Sequence, residues 1–486
     1  MPILLLLLLF LPACQSARKT PATDVSDASA KLVPLKAAQT PAQLAEQAYT
    51  LGVTAMHEHE YEKAEDFFFE CIDLNDKLLK CRWELGWAHF SQRHWVDADE
   101  AWEMVEDIKP NYPGLLDARA QIRKYMDIDR GAHRLKLKAP YSVRPDETTE
   151  PLIRIRASGD TMLGTDIPKG KLPPVDGKSP LWRVESLLRD ADITFVNHEG
   201  TLCSKGESDK CPEDSDHCYA FRSPPDFVKY LKQAGISAVS IANNHILDFG
   251  DACRLETAET LQNAGIKWSG PPGSYAALEV KGKKIAIVAF HSAAHSNNTT
   301  QLKEARQLIR GLKRVNDFVV VSFHGGAEGF KALHVPGKPE TFFGENRGDV
   351  RAFAHAVVDA GANLVLGSGP HVVRGMEFYK GRLIAYSLGY FSTYGTFNLT
   401  GFNSIGLLLE VDLDMKGRFH GGRIIPLKQI GKGFASPDPE AATVDLVRYL
   451  SKEDFKRSSA IIARDGTLHY RLQKKSKRTR ARTNRP

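Results

Sequence analysis

Polar side chains with metal-ligating atoms recur where short apolar runs end. Asp160 follows Ile153–Ala157 in Ser158-Gly159-Asp160, and Asn197 and Glu199 close the run that begins at Ile193. Asn243, Asn244 and His245 follow Ala238–Ala242, and His324 follows Phe318–Phe323. His371 follows Leu364–Leu366 across Gly367-Ser368-Gly369-Pro370. Taken singly, a strand-end aspartate often caps a helix and a histidine often satisfies a core hydrogen bond. Five such places behind five apolar runs point instead to one centre. Carboxylate and amide oxygens combined with imidazoles suit Mn, Fe or Zn, with carboxylate and water left over for hydrolysis. The glycines beside them let backbone turn sharply and approach a ligand closely.

The elements that must position these residues can be read from the same runs. Strands are predicted at Ile153–Ala157, Ile193–Asn197, Ala238–Ala242, Ile285–Phe290, Phe318–Phe323 and Leu364–Leu366. Helical stretches lie between them at Trp182–Arg189, Asp226–Ala234, Arg254–Ala264, Leu302–Arg314 and Val350–Ala360. That alternation predicts an α/β domain with buried strands, whose sites belong at strand ends. Met376–Phe391 and Ser404–Ile430 follow without intervening helices and predict hairpin-type strands that continue the sheet as a second layer.

With these residues in view, the chain resembles the bacterial CapA family of poly-gamma-glutamate capsule synthesis proteins, itself similar to calcineurin-like metallophosphoesterases. The resemblance covers about residues 152–410. It rests on Gly159-Asp160-Thr161-Met162-Leu163-Gly164, Asn197-His198-Glu199, Ala242-Asn243-Asn244-His245 with Asp248 and Gly250, and His324-Gly325. The longest match runs from Gly369-Pro370-His371-Val372-Val373 through Glu377, Tyr379 and Gly381 to Tyr386-Ser387-Leu388-Gly389. The resemblance implies a four-layer α/β/β/α sandwich over residues 151–432 with one or two divalent ions at the strand ends. It makes Asp160, Glu199, Asn244, His324 and His371 the ligand candidates, with Asn197 ligating or holding a water. It gives His245 the role of proton donor or transition-state stabiliser, oriented by Asp248. The chain departs from the family's relatives at Met162, where a histidine is usual, and at Gly325, Ser368 and Tyr390. His198 and Glu328 are read as supporting or surface residues.

The remaining sequence frames that domain. With 486 residues, 42% hydrophobic and 26% charged, fibrous and wholly disordered classes are excluded. The only long apolar run, Ile3–Leu11, falls short of the roughly 20 residues of a spanning helix. It reads as a signal peptide over residues 1–13, with Leu11-Pro12-Ala13-Cys14 resembling a lipobox and Cys14 the lipidation site that anchors the protein to a membrane. Residues 14–42 read as a flexible tether. Between 43 and 126, Leu51-Gly52 recurs as Leu85-Gly86, Tyr61 as Trp95, Ala64 as Ala98 and Phe68 as Trp102. Every offset is 34, the tetratricopeptide period, which predicts an N-terminal all-α domain closed by a third helix over Leu115–Met126. Residues 127–150 read as a linker, and 433–486 as a weakly patterned segment ending in a basic tail. That tail, from Lys474 to Arg485, carries seven cations and no acid, so the net charge of +6 belongs to it alone. Export implies an oxidising compartment: Cys71–Cys81 is the expected disulfide, with two more among Cys203, Cys211, Cys218 and Cys253 in any of three connectivities.

These readings together describe an exported protein of the cell envelope. They predict a metal-dependent hydrolase or phosphoesterase, with metal-activated water, in the biosynthesis of a capsule or envelope polymer. The alternative is a non-catalytic accessory or scaffold protein that binds the polymer or its export machinery. The expected partners are an anionic polymer, a protein recruited by the helical repeats, and the membrane; nucleic acid is excluded by the compartment.

Overall fold

A computed structural model describes residues 40–134, 150–167, 169–174, 178–208, 210, 219–395 and 399–470. Cys14, Cys211, Cys218 and the basic tail lie outside the described residues. No described helix is long and apolar enough to cross a membrane.

The 34-residue offset has a direct packing meaning. Helices α1 (Pro41–His57) and α2 (Tyr61–Leu74) form one hairpin, and α3 (Leu79–Ser91) and α4 (Trp95–Ile108) form the next. In each, a glycine on the first helix receives a ring from the second. A Cβ added at Gly52 would lie 2.5 Å from Phe68, and one added at Gly86 would lie 2.1 Å from Trp102. Neither approach leaves room for a side chain. The Trp102 indole N–H donates to the Trp83 carbonyl at 3.1 Å, so its one polar atom is satisfied inside the hairpin. The Cys71–Cys81 disulfide joins α2 to α3 as expected.

Helix α5 (Leu115–Arg134) runs past Met126 into the segment expected to be a linker. The reason is its apolar stripe: Ile122, Tyr125 and Ile128 recur at helical spacing and are buried. That stripe does not face a tether. Tyr125 packs on Phe402 at 4.4 Å and on Phe330 at 5.4 Å, and Trp95 packs on Phe402 at 5.4 Å. Arg93 adds an ion pair to Glu440 at 2.8 Å. The helical region is thereby continuous with the core of the α/β domain.

Two large sheets form the body of that domain, beside three two-stranded ones among the described residues. In the first, strands run in the order Phe434–Pro437, Phe419–Ile430, Ile405–Leu413, Ile153–Met162, Ile193–His198, Ala238–Ser240 and Lys267–Ser269, with Tyr390–Thr393 alongside Ile153–Met162. In the second, the order is Met376–Tyr379, Arg382–Ala385, Leu364–Ser368, Phe318–His324, Lys283–His291 and Ala276–Val280. Side-chain alternation along each strand assigns the layers. Ile153, Ile155, Ile193 and Phe195 of the first sheet share one core with Ile285, Ile287, Phe318 and Val320 of the second. The alternate residues of the second sheet, Val288, Val319, Val321 and Val365, pack under the helices α6 (Leu302–Val315) and α7 (Val350–Ala360). The outward residues of the first sheet, Val196, Val239 and Ile241, pack under the short helices Glu185–Arg189 and Val228–Gln233 and under Gly250–Asn263. Helix, sheet, sheet and helix therefore stack as a four-layer α/β/β/α sandwich.

The fold also continues beyond residue 432, where the sequence pattern fades. Phe434–Pro437 extends the first sheet, and α8 (Ala442–Phe455) packs against α5. Val444, Val447 and Leu450 carry that contact into the main core. Cys203 bonds Cys253, which settles one of the two bridges left open among four cysteines.

Candidate metal centre

The geometry begins with a bulge. Ser158 pairs with Val196 but Asp160 pairs with Asn197, so Gly159 is the extra residue. A Cβ at Gly159 would sit 1.8 Å from the Gly389 carbonyl, which leaves glycine alone able to occupy the position. The bulge re-aims Asp160 into the space between the sheets' ends. There His371 Nδ1–H donates to Asp160 Oδ2 at 2.9 Å, and Asn197 Nδ2 donates to Asp160 Oδ1 at 2.8 Å. His371 holds a left-handed backbone with φ 61°, a strained conformation for a non-glycine residue and one that clusters at functional sites. The Tyr390 ring stacks on it at 4.5 Å.

Asp160, Glu199 and His371 each bring a ligand atom within 4.8 Å of the others, and all three are buried. His371 Nε2 lies 3.7 Å from Glu199 Oε1 and 3.4 Å from Glu328 Oε2. His324 Nδ1 lies 3.6 Å from Asp160 Oδ1. His245 approaches from the other side, its Nε2 3.8 Å from Glu199 Oε1. Its Nδ1–H donates to Asp248 Oδ2 at 2.8 Å, as carboxylate–imidazole orientation requires. Asp248 is itself fixed by the Phe221 N–H at 2.9 Å and by Lys210.

Several buried atoms here have no hydrogen-bond partner among the described residues: both Glu199 carboxylate oxygens, Asn244 Oδ1 and His324 Nε2. Buried polar atoms are almost always paired, and an unpaired buried carboxylate is costly. Their chemistry fits a divalent cation of the Mn, Fe or Zn class. Electrostatics agree. Burial would raise the Asp160 carboxyl, but the bonds from His324 and His371 hold it below the usual carboxylate range. Burial pushes Glu199 well above its usual range, against the pull of His371. Burial would lower His371, yet Glu199, Glu328 and Asp160 raise it well above an ordinary histidine. Three carboxylates, Asp160, Glu199 and Glu328, thus gather around the one His371 imidazole.

Of the residues predicted from sequence, Asp160, Glu199, His245, His324 and His371 converge, and Asn244 adjoins His245 in the chain with its Oδ1 buried and without a hydrogen-bond partner among the described residues. Asn197 is in the cluster too, but its amide nitrogen faces Asp160 and lies 3.2 Å from His324 Nδ1, so it braces ligands. Met162 is turned away, its sulfur accepting the Gly164 N–H at 2.9 Å. Glu328, expected as a supporting or surface residue, is a half-buried neighbour of the cluster, 3.4 Å from His371 Nε2 and paired with Arg347 at 3.3 Å. His198 is likewise buried, and burial lowers its pKa to about 4. Sequence reasoning gives Asn243 no task of its own, yet its side chain ties Asn197 Oδ1 to the His198 carbonyl.

Residues 154–394 match the family model described as bacterial capsule synthesis protein PGA_cap. The α/β domain belongs to this family. A probable polyglutamine synthesis accessory protein of Mycobacterium tuberculosis is 31% identical over 251 residues, 45% of this chain and 61% of that protein. Capsule biosynthesis protein CapA of Bacillus anthracis is 25% identical over 341 residues, covering 65% of this chain and 77% of that protein. PGA biosynthesis protein CapA of Bacillus subtilis is 27% identical over 251 residues, covering 48% and 61%. The chain thus spans about three fifths of the mycobacterial and Bacillus subtilis family members. A 5'-nucleotidase precursor from Thermus thermophilus aligns at 15% identity with a TM-score of 0.32, over 61% of this chain and 58% of that one. At that score the layer order rests on this chain's own packing.

Proposed function

We propose that this family member is a metal-dependent hydrolase of capsule or envelope polymer biosynthesis, acting on a phosphoester or amide of an anionic, poly-gamma-glutamate-like polymer. The observation that carries the reading is the set of buried, unpartnered donor atoms on Glu199, Asn244 and His324 beside Asp160 and His371. A divalent ion held by these residues supplies Lewis acidity and water of lowered pKa. The chain's own contribution is positional. Asp160 and His371 fix one another, Asn197 braces Asp160, and Asp248 turns the His245 imidazole so that Nε2 faces the cluster and can move a proton to a leaving group. The relatives' names place those proteins in capsule biosynthesis, PGA biosynthesis and polyglutamine synthesis, which supports the polymer class.

The test is metal content of the purified chain beside Asp160→Ala and His371→Ala, with an aryl-phosphate assay on the same samples. Metal lost in both variants, with turnover reduced at least about 100-fold, is expected, because even a residue that only orients a ligand costs about 10–100-fold. Wild type that binds no Mn, Fe or Zn would remove the reading. The second reading, a non-catalytic accessory protein whose helical repeats recruit polymer or export machinery, is favoured by Met162 and by the mycobacterial relative's name; metal without turnover on any anionic polymer would select it.

We further propose that the chain is exported and anchored through acylated Cys14. Cys14→Ser should release it from the membrane fraction, and unchanged fractionation would end that proposal.

A further inference from the structure

A second cluster of ligand atoms stands in the helical region, far in sequence from the strand ends. Glu65 lies on α2, His89 near the end of α3, and His94 immediately before α4. One ligand atom from each lies within 4.8 Å of the other two. Glu65 Oε1 is 2.6 Å from His89 Nδ1 and 3.8 Å from His94 Nδ1. In a tetrahedral site with bonds of about 2.1 Å, neighbouring ligand atoms stand about 3.4 Å apart, so this spacing needs only small adjustment.

Three observations separate the cluster from an ordinary polar contact. His89 Nδ1 is buried and makes no aligned hydrogen bond despite its closeness to the carboxylate, so the two atoms lie side by side rather than head to head. Gln92 Nε2 donates to Glu65 Oε1 and to the Ala88 carbonyl, holding the carboxylate as supporting residues hold metal ligands. The Phe69 ring packs edge-on against the His89 ring at 6.1 Å and fixes its plane. Nor does the repeat demand the cluster: the residues 34 positions from Glu65, His89 and His94 are Asp99, Ala55 and Glu60. His94 is half-exposed and lines a cavity of about 410 Å³ shared with His59, Tyr61, Arg93, Lys428 and Glu440, which provides an entry path.

We propose that Glu65, His89 and His94 form a second divalent-metal site, of the zinc class, that staples α2 to the α3–α4 turn. Two imidazoles and one carboxylate suit borderline ions, and three protein ligands leave a fourth position open to the cavity, so the metal is exchangeable. The proposal is independent of the strand-end centre and of any hydrolase activity.

The test uses the full chain carrying Asp160→Ala and His371→Ala, dialysed against Zn²⁺ and then against buffer. One equivalent of zinc should remain, and zinc should raise the melting temperature. Adding His94→Ala, at a half-exposed position that folding tolerates, should remove that equivalent and the shift; Glu65→Gln, which keeps the shape, should weaken zinc at least about 10-fold. His57→Ala, an exposed histidine on α1, should change neither. Should the strand-end substitutions unfold the chain, the same comparison is made in the wild-type background, where His94→Ala should lower bound zinc by one equivalent. Zinc content indifferent to His94→Ala, or lost equally in His57→Ala, overturns the proposal.

Discussion

The aromatic interior of the helical region and the strand-end cluster of the α/β domain are both largely buried, yet they are built on opposite terms. Around Gly86 and Trp102, shape alone closes the interior, and the one indole N–H is satisfied by Trp83. Around Glu199 and His324, the chain excludes water from carboxylate and imidazole atoms and then leaves them unpaired among the described residues. The first arrangement is finished by the chain itself. The second is finished only by something the chain must collect. Stability and ligand binding are therefore expected to separate cleanly under mutation.

The largest effect should come from Trp102→Ala, which empties the centre of the second hairpin at a cost of about 3–5 kcal/mol. Thermal melting should fall steeply while metal content of the folded fraction stays at the wild-type value. Metal lost along with stability would break the comparison and show the two regions to be coupled. A smaller loss is expected for Gly86→Ala. Alanine gains about 1 kcal/mol in helix propensity over glycine, but overpacking against an indole 2.1 Å away costs about 1–3 kcal/mol. A melting temperature above wild type would mean that the helices can part, and that the repeat pattern reflects less than close packing.

The smallest effect sharpens the contrast from within the α/β domain. Glu377, part of the longest family match, lies outside the metal cluster. It accepts from Tyr386 at 2.9 Å, from His355 at 2.9 Å and from Ser458 at 2.7 Å, and pairs with Arg351. Burial would raise its carboxyl, but these bonds lower it from about 4.5 to about 2. A depressed carboxyl stabilises the fold fully above about pH 4.5, and that contribution disappears as pH falls toward 2. Denaturant midpoints of wild type should therefore drop through this window more than those of Glu377→Gln. Parallel pH profiles would assign Glu377 some task other than holding the fold.

Much of this is legible in the sequence because two patterns carry it. Short apolar runs with glycine punctuation mark the strands and their ends, and the strand ends mark Asp160, Glu199, His245, His324 and His371. The 34-residue offset marks the hairpins and even their contacting pairs. What stays hidden depends on distance along the chain. Glu328 reaches the cluster because the turn after His324 folds back over His371, and nothing local marks that return. The helical extension past Met126 and the elements beyond residue 432 are hidden for the same reason: Tyr125, Phe330, Phe402 and α8 are mutual partners separated by most of the chain. Met162 is legible as a departure, but only its bond to the Gly164 N–H shows that the residue has been given a structural task instead.

That mutual packing has a temporal side. The helical region leaves the ribosome first, with Trp95, Tyr125 and Ile128 facing a partner that does not yet exist. Phe330 and Phe402 follow much later, and α8 almost last. Through most of synthesis an aromatic face therefore stands uncovered, the kind of surface that invites aggregation or a chaperone's hold. The helical region is closed over late, and a chain ending before Ala442 would still leave bare the part of α5 that α8 covers.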